Sequence, residues 1–223
     1  MTTQAHSEQH SDDVGFERMV FFSDAVMAIA ITLMALEIRV PEIEVAGAES
    51  QVPALLQSMF PHVIVYIISF LVIGMYWVLH HRLFRLLRKY DNRLLWLNLM
   101  FLMFIGLLPV STNALGNYPD YPLITVVYAV SVALIGVMEL ATWLYGINGD
   151  RLLGKPLTAR VKLYGSLRLL VPPLVFLASI PFAFVDVTGA KFFWAVQIPI
   201  FLMLRWVFPK EHELRRISET TAV

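Results

Sequence analysis

Polar residues interrupt the apolar segment that begins at Phe16. Arg18, Ser23 and Asp24 lie in a stretch that otherwise consists mainly of aliphatic and aromatic residues. An ionised side chain near the centre of a bilayer costs about 2.5–3.5 kcal/mol on insertion scales, and less near the interface. Residues of this kind are therefore candidates for a functional site. They could relay protons, or they could clamp the helix to its neighbours.

The spacing of the two charged residues indicates that their partners lie on other helices. Arg18 and Asp24 are six residues apart, which places them about 120° from each other around a helix. They are not expected to form an i,i+4 ion pair. A structural clamp is favoured over a proton relay. The candidate partners are Trp77, His80, His81 and Asn98.

An aliphatic stripe also runs along this helix. At about 100° per residue it is formed by Arg18, Phe22, Ala25, Ile29, Leu33, Leu36 and Val40, with Thr32 at its edge. Two interpretations are open. The stripe could pack against other helices, or its members could form rings of a hydrophobic constriction around a symmetry axis. Periodicity does not separate the two, and the pattern alone favours packing.

Other ionisable residues lie at membrane depth. Glu139 and Arg168 are on consecutive spans and could pair with each other. Glu37 lies near the outer end of the first span, either at an outer mouth or as an interfacial carboxylate. His80 and His81 point about 100° apart on a helix, so they are expected to be packing residues near the interface and not a metal site.

Several familiar signals are incomplete. The segment 125–129 reads Thr-Val-Val-Tyr-Ala and lacks the glycines that a carbonyl-lined filter needs. Gly165-Ser166 lacks the context of a nucleophile elbow, so an intramembrane hydrolase is not expected. The chain has no cysteine, which excludes disulfides and cysteine metal sites.

The composition is that of a polytopic membrane protein. Of 223 residues, 58% are hydrophobic and 15% charged, whereas soluble domains carry about 25% charged residues. A bilayer core needs about 20 apolar residues per helix, so we predict an all-α fold with six spans. The predicted spans are 16–40, 60–81, 94–115, 121–145, 163–185 and 190–208.

The basic residues predict the orientation. Lys and Arg are concentrated in the loops after the second and fourth spans and at the C-terminal end. Because positive residues mark the cytoplasmic side, both termini are predicted to be cytoplasmic. Residues 1–15 are expected to form a disordered cytoplasmic tail, residues 16–208 the transmembrane domain and residues 209–223 a second cytoplasmic tail.

The first helix resembles the signature of a known family. Arg18-x-x-x-Phe22-Ser23-Asp24, the alanine- and isoleucine-rich segment that follows and Leu36-Glu37-Ile38 resemble the potassium-permeable channels of bacteria and of animal endosomes and lysosomes, which are recognised by an FSD sequence on their first membrane helix. The segment 76–84 resembles the second-helix pattern of that family. Asn98, Pro109 and the six spans extend the resemblance over most of the chain.

The resemblance implies a homotetramer in a bacterial cell membrane, in which the first helices of four subunits line a pore for K⁺ and other monovalent cations. It implies a narrowest point at Ile29, a link between Thr32 and potassium preference, and further apolar pore positions at Leu33 and Leu36. The remaining motif residues are expected to form a structural polar network away from the axis: Arg18, Phe22, Ser23, Asp24, Trp77, His81 and Asn98. No cofactor, metal, nucleic acid partner or enzyme activity is implied.

The expected function is thus a potassium-permeable channel of modest selectivity, since a ring of isoleucines offers an ion no ligands. Three alternatives are open: a proton-coupled secondary transporter using Asp24, His81 or Glu139, a proton-permeable channel, and a membrane enzyme or assembly factor. Transporters of that kind usually contain inverted repeats, and no internal repeat is visible in this sequence.

Overall fold

The computed structural model describes residues 2–38, 40 and 48–208. These residues are almost entirely helical, and the predicted all-α fold is confirmed. The helices are α1 (Thr2–Leu36), α2 (Ala48–Leu86), α3 (Asn92–Asn117), α4 (Pro122–Gly146), α5 (Ala159–Ala178), α6 (Ile180–Ala183), α7 (Val187–Phe193) and α8 (Gln197–Val207). Short 3-10 turns occupy Asn148–Asp150 and Trp194–Val196.

Six stretches of the described residues are long and apolar enough to cross a membrane, as predicted. They are Val14–Leu36, Ser50–Leu86, Asn92–Asn117, Pro122–Gly146, Ala159–Ala183 and Val187–Val207. The helix α1 begins at Thr2, so the backbone of residues 2–15, which were predicted to form a disordered tail, is helical. The predicted tail over residues 209–223 lies outside the described residues.

The last two spans are each broken into shorter helices. Between α5 and α6 the break falls at Ser179, and Pro181 occupies the first turn of α6. Proline lacks an N–H, so it fits the first turn of a helix, whereas in the interior it removes a backbone hydrogen bond; α5 nevertheless continues through Pro172 and Pro173. The sixth span consists of α7, a 3-10 turn and α8. Pro181 thus marks the first break, whereas the 3-10 turn Trp194–Val196 contains no proline.

The centre of the helix bundle is formed by α3 and α4. The helix α3 packs against α1, α2 and α4, and α4 packs against α5, which in turn contacts α8. The helix α3 begins where the Asp91 carboxylate accepts a hydrogen bond from the Leu94 backbone N–H at 2.9 Å. This is the usual way in which an N-cap residue satisfies a free donor of the first turn.

Polar contacts at helix ends show which ends lie at the same level. The Asn113 side chain donates to the Glu37 carboxylate, and His62 Nε2 lies 3.3 Å from Asn117 Oδ1. The ends of α1 and α3 therefore lie level with position 62 of α2. At 1.5 Å per residue the 39-residue α2 is about 58 Å long, about twice the hydrocarbon thickness of a bilayer. The part of α2 before His62 therefore extends beyond this end of the bundle.

Candidate functional site

The helix α1 has one buried side. Its buried positions follow one another at intervals of four, four, three and four residues: Met19, Ser23, Met27, Ala30 and Met34. With about 100° per residue this spacing forms a single stripe. The stripe faces α2 and α3, the helices against which α1 packs.

The opposite side of α1 carries the three residues expected at the constriction and Thr32, the residue expected to affect potassium preference. Ile29, Leu33 and Leu36 are 57%, 46% and 76% exposed, and Thr32 is exposed as well. Thr32 follows Ser23 by nine residues, so the two side chains point about 180° apart. Thr32 therefore lies near the middle of the exposed side of α1. The aliphatic stripe covers only part of that side, and Thr32 lies at its edge.

The Thr32 hydroxyl leaves its oxygen available to a ligand. The hydroxyl donates to the Ile29 carbonyl oxygen at 2.9 Å, which fixes the proton on the helix side. A hydroxyl oxygen has two acceptor lone pairs in addition to its donor. Thr32 can therefore present oxygen to a cation without giving up its local bond.

A buried hydrogen bond joins α1 to α3. The Asn98 side-chain amide donates to Ser23 Oγ at 2.9 Å, and both residues are fully buried. The Ser23 hydroxyl itself lies 2.9 Å from the Met19 carbonyl oxygen and 3.3 Å from Asn98 Oδ1. The serine of the motif thus fixes the buried side of α1 against α3.

A second bond joins α1 to α2. The Trp77 indole N–H donates to Asp24 Oδ1 at 2.8 Å. The Trp77 ring stacks on His81, with ring centroids 5.5 Å apart and an interplanar angle of 25°. The motif aspartate therefore accepts a hydrogen bond from the Trp77 indole, and the stacked His81 ring supports the orientation of that indole.

The structure does not bring every residue of the expected polar network together. Ser23, Asp24, Trp77, His81 and Asn98 are linked by the bonds and the ring contact above. Arg18 and Phe22, by contrast, are exposed on the same side of α1 as Ile29. Within the described residues Arg18 makes no hydrogen bond or ion pair.

A second polar pair, which the sequence analysis did not identify, joins α2 to α4. His80 Nδ1 lies 3.0 Å from Glu139 Oε2, and their side chains are 3% and 0% exposed. The ion pair between Glu139 and Arg168, which the sequence analysis considered possible, is therefore not formed in the described structure. Arg168 instead lies 3.5 Å from the Tyr164 hydroxyl and over the Phe201 ring. The sequence signal was a glutamate inside an apolar span, but nothing in the sequence identified its partner.

A polar cluster fixes the other end of the bundle. The Tyr145 hydroxyl donates to Asp91 Oδ2 at 2.6 Å, and Arg151 Nη1 lies 3.0 Å from the same oxygen. Partial burial of Asp91 on its own raises the pKa of the carboxyl. The bonds from Tyr145, the Leu94 N–H and Arg151 together outweigh that effect, so the pKa is below its ordinary value. This cluster was not predicted, because its members lie in three separate segments.

Hydroxyl groups join three helices in the middle of the bundle. Thr112 Oγ1 donates to Ser69 Oγ at 2.9 Å, and Ser69 Oγ lies 3.0 Å from the Tyr128 hydroxyl. All three residues are buried. Their bonds connect α3, α2 and α4, so the helices behind α1 are held by several polar contacts.

The fold and these contacts define a polytopic α-helical membrane protein, in which polar bonds anchor one side of the first helix and the other side stays open. Residues 18–109 match the family model described as endosomal/lysosomal potassium channel TMEM175. A protein of Chamaesiphon minutus named potassium channel is 36% identical over 141 residues, which cover 62% of this chain and 69% of the relative. The chain belongs to the TMEM175 family.

Other relatives match over a smaller share of their length. A Chryseobacterium protein named potassium channel is 41% identical over 100 residues, 45% of this chain and 48% of the relative. The match thus spans about half of that protein. A human relative named endosomal/lysosomal proton channel TMEM175 is 33% identical over 138 residues, 61% of this chain and 27% of the relative.

A solved structure has the same fold. The crystal structure of a lysosomal potassium-selective channel TMEM175 homolog from Chamaesiphon minutus matches with a TM-score of 0.73 and 26% sequence identity. The match covers 86% of this chain and 98% of the homolog. It extends the similarity past residue 109, where the family match ends, to most of the six-span fold.

Proposed function

We propose that this protein is a potassium-permeable cation channel of modest K⁺/Na⁺ selectivity, in which four copies surround a pore lined by α1. One observation carries the proposal: from Ala25 to Leu36 the exposed side of α1 is aliphatic apart from Thr32, and it lies opposite the anchored side. The names of the bacterial relatives and the fold of the potassium-selective homolog support it.

The chemistry of this side suits a pore without a carbonyl filter. Four copies of Ile29 around an axis form an apolar ring that gives an ion no ligands, so an ion crosses it hydrated or partly hydrated. Apolar constrictions of this kind gate by wetting and dewetting. From Ala25 to Leu36, Thr32 is the one polar side chain on the exposed side of the described helix. A ring of Thr32 hydroxyls is therefore our candidate for the layer that discriminates between cations.

The anchors explain how such a pore would be held in shape. The Ser23–Asn98 and Asp24–Trp77 bonds fix the rotation of α1 relative to α3 and α2. A rotation of one residue, about 100°, would replace Ile29 at the axis by a neighbour. The motif would thus set which residues line the pore without contacting the ions.

The same proposal places the protein in a bacterial plasma membrane with both termini cytoplasmic. The basic loops after the second and fourth spans support this orientation. Lys89 and Lys155 are both exposed in these loops. The backbone of Lys89 donates to the Leu152 carbonyl oxygen at 3.3 Å, so the two basic loops lie together at one end of the bundle.

The test is planar-bilayer recording of the purified protein under a K⁺/Na⁺ gradient, with Ile29→Asn and a matched control. Ile198→Asn makes the same change on α8, where Ile198 is 59% exposed, much as Ile29 is. We expect unitary currents that reverse towards the K⁺ potential. Ile29→Asn should raise the conductance because it wets the apolar ring, and Ile198→Asn should leave it unchanged. A folded tetramer that is silent in every form would overturn the proposal, as would an equal effect of both substitutions.

Proton permeation is the second candidate, because animal relatives are named proton channels. The same preparation distinguishes the two candidates. At zero applied voltage, with equal K⁺ on both sides and a pH gradient, a proton-permeable pore gives a current whose direction reverses with the pH gradient. A potassium pore gives none.

A further inference from the structure

The pair formed by His80 and Glu139 is separate from the exposed side of α1. It lies between α2 and α4, with 3.0 Å between Nδ1 and Oε2. Glu139 is seven residues from the end of α4 at Gly146, about 10 Å along the helix. The pair is therefore inside the membrane-spanning part of the bundle, where water does not solvate it.

The two side chains have few other polar contacts. His80 Nε2 and Glu139 Oε1 are buried and have no hydrogen-bond partner within the described part of the chain. The imidazole stacks on Phe101, with centroids 4.9 Å apart, and packs against Phe84 at 4.2 Å. Aromatic rings thus occupy the space around the imidazole, and the contact between Nδ1 and Oε2 is the polar link of the pair.

Charge balance separates the possible protonation states. With one exchangeable proton the pair is neutral overall, either as imidazolium and carboxylate or as imidazole and carboxylic acid. Without that proton it carries one negative charge, and with a second proton one positive charge. An uncompensated charge in a buried site is strongly destabilising, so both of these states are unfavourable.

The contacts described around the pair come from neutral groups of the neighbouring helices. From α2, Tyr76 lies near Glu139, and its hydroxyl donates to the Val132 carbonyl oxygen at 3.3 Å. From α4, the Tyr128 hydroxyl bonds to Ser69. Both tyrosine hydroxyls are neutral hydrogen-bonding groups and bring no charge to the pair. The contact from α3 is the Phe101 ring, which does not titrate.

Other charged or titratable groups of the surrounding helices make their described contacts elsewhere, and Arg18 is exposed on the side of α1 that faces away from α2 and α3. Asp24 of α1 bonds to Trp77, His81 of α2 stacks on that indole, and Arg168 of α5 lies by Tyr164. The salt bridge of Glu139 in the described residues is with His80. The charge of the pair is therefore set by its own proton.

We propose that His80 and Glu139 form an intramembrane proton-binding site, away from the pore-lining face of α1, that holds one exchangeable proton between α2 and α4. The ligand is a single proton. It moves along the line from Nδ1 to Oε2 or stays on one of the two atoms, and the pair stays neutral in either case. The site does not depend on ion conduction, so it is tested separately from the proposed function.

Solid-state NMR of the tetramer in lipid at about pH 7.5 tests this proposal directly, with ¹⁵N-labelled histidine and ¹³C-labelled glutamate. A free histidine is mostly neutral at that pH and a free glutamate is ionised. We expect the pair to show one proton more than these free groups: imidazolium beside carboxylate, or imidazole beside carboxylic acid. A neutral imidazole beside a carboxylate would overturn the proposal.

The same spectrum contains an internal control. His62 lies 3.3 Å from Asn117 Oδ1 at the end of the bundle, so its signal is the reference for a histidine that contacts an amide and not a carboxylate. His80→Gln and Glu139→Gln assign the two signals by their loss. If either variant does not assemble, a through-space ¹⁵N–¹³C correlation across the 3.0 Å contact assigns the pair in the wild-type protein.

Discussion

A double-mutant cycle on Ser23 and Asn98 tests whether the motif serine anchors the first helix. Ser23→Ala removes the acceptor of the 2.9 Å bond and leaves the buried Asn98 amide without its partner. Asn98→Leu fills a similar volume without polar atoms. In the double variant both polar groups of this bond are absent, so neither is buried without its partner. We therefore expect the double variant to be more stable than the sum of the two single changes predicts.

The magnitude follows from the geometry of the bond. An unsatisfied buried amide costs about 1–3 kcal/mol in soluble proteins. Between membrane helices such bonds average about 0.6 kcal/mol, with a maximum of about 1.7 kcal/mol. The bond is of ordinary length and fully buried, so we expect a coupling free energy of about 1 kcal/mol. This corresponds to roughly a fivefold change in the unfolding equilibrium.

The assay is reversible unfolding by SDS in bicelles, and the matched control is Ser131→Ala. The Ser131 hydroxyl donates to the Val127 carbonyl oxygen of its own helix at 2.8 Å, much as Ser23 donates to Met19. In the described part of the chain Ser131 has no bond to another helix, so Ser131→Ala is expected to cost almost nothing. A coupling energy within about 0.3–0.5 kcal/mol of zero, the usual error of additivity, would refute the anchoring role.

Three other results are expected. Thr32→Ala should bring the reversal potential under a K⁺/Na⁺ gradient closer to zero, and Thr32→Ser, which keeps the hydroxyl, should not; equal effects would contradict a hydroxyl layer. The lowered pKa of Asp91 stabilises the fold above the unfolded-state value of about 3.9, and this contribution is lost as the pH falls through the folded value. Thermal unfolding of Asp91→Asn should therefore depend less on pH than that of the wild type between about pH 3 and 6, whereas parallel curves would show that Asp91 does not contribute. Gly165→Ala should destabilise the packing of α4 and α5 by about 1–3 kcal/mol, because a Cβ at position 165 overlaps the Trp143 ring; an unchanged denaturation midpoint would show that the ring moves freely.

The six spans could be predicted because each needs about 20 apolar residues, a property of local composition alone. The length of α2 could not. Its first turns read Ala-Glu-Ser-Gln-Val-Pro, which no hydropathy pattern distinguishes from a loop. The 3-10 turn at Trp194–Val196 was also missed, since it arises from packing and carries no proline or glycine.

The residues of the site were predictable to different degrees. Periodicity placed Ile29, Leu33 and Leu36 on one stripe, but it did not show whether that stripe faces the protein's own helices. The structure shows that these helices cover the opposite side. The His80–Glu139 pair depends on two residues 59 positions apart in the sequence, and a single sequence contains no signal for such a contact.

The two opposite sides of α1 have a consequence for how this protein can evolve. The residues that hold the helix in the bundle and those that the proposed pore exposes to ions form separate sets, since Ser23 and Thr32 point about 180° apart. Selection on permeation can therefore act on Thr32 and its exposed neighbours with little effect on folding. Selection on stability acts on Ser23 and the buried methionines. A single helix could in this way support channels with different ion preferences on one unchanged scaffold.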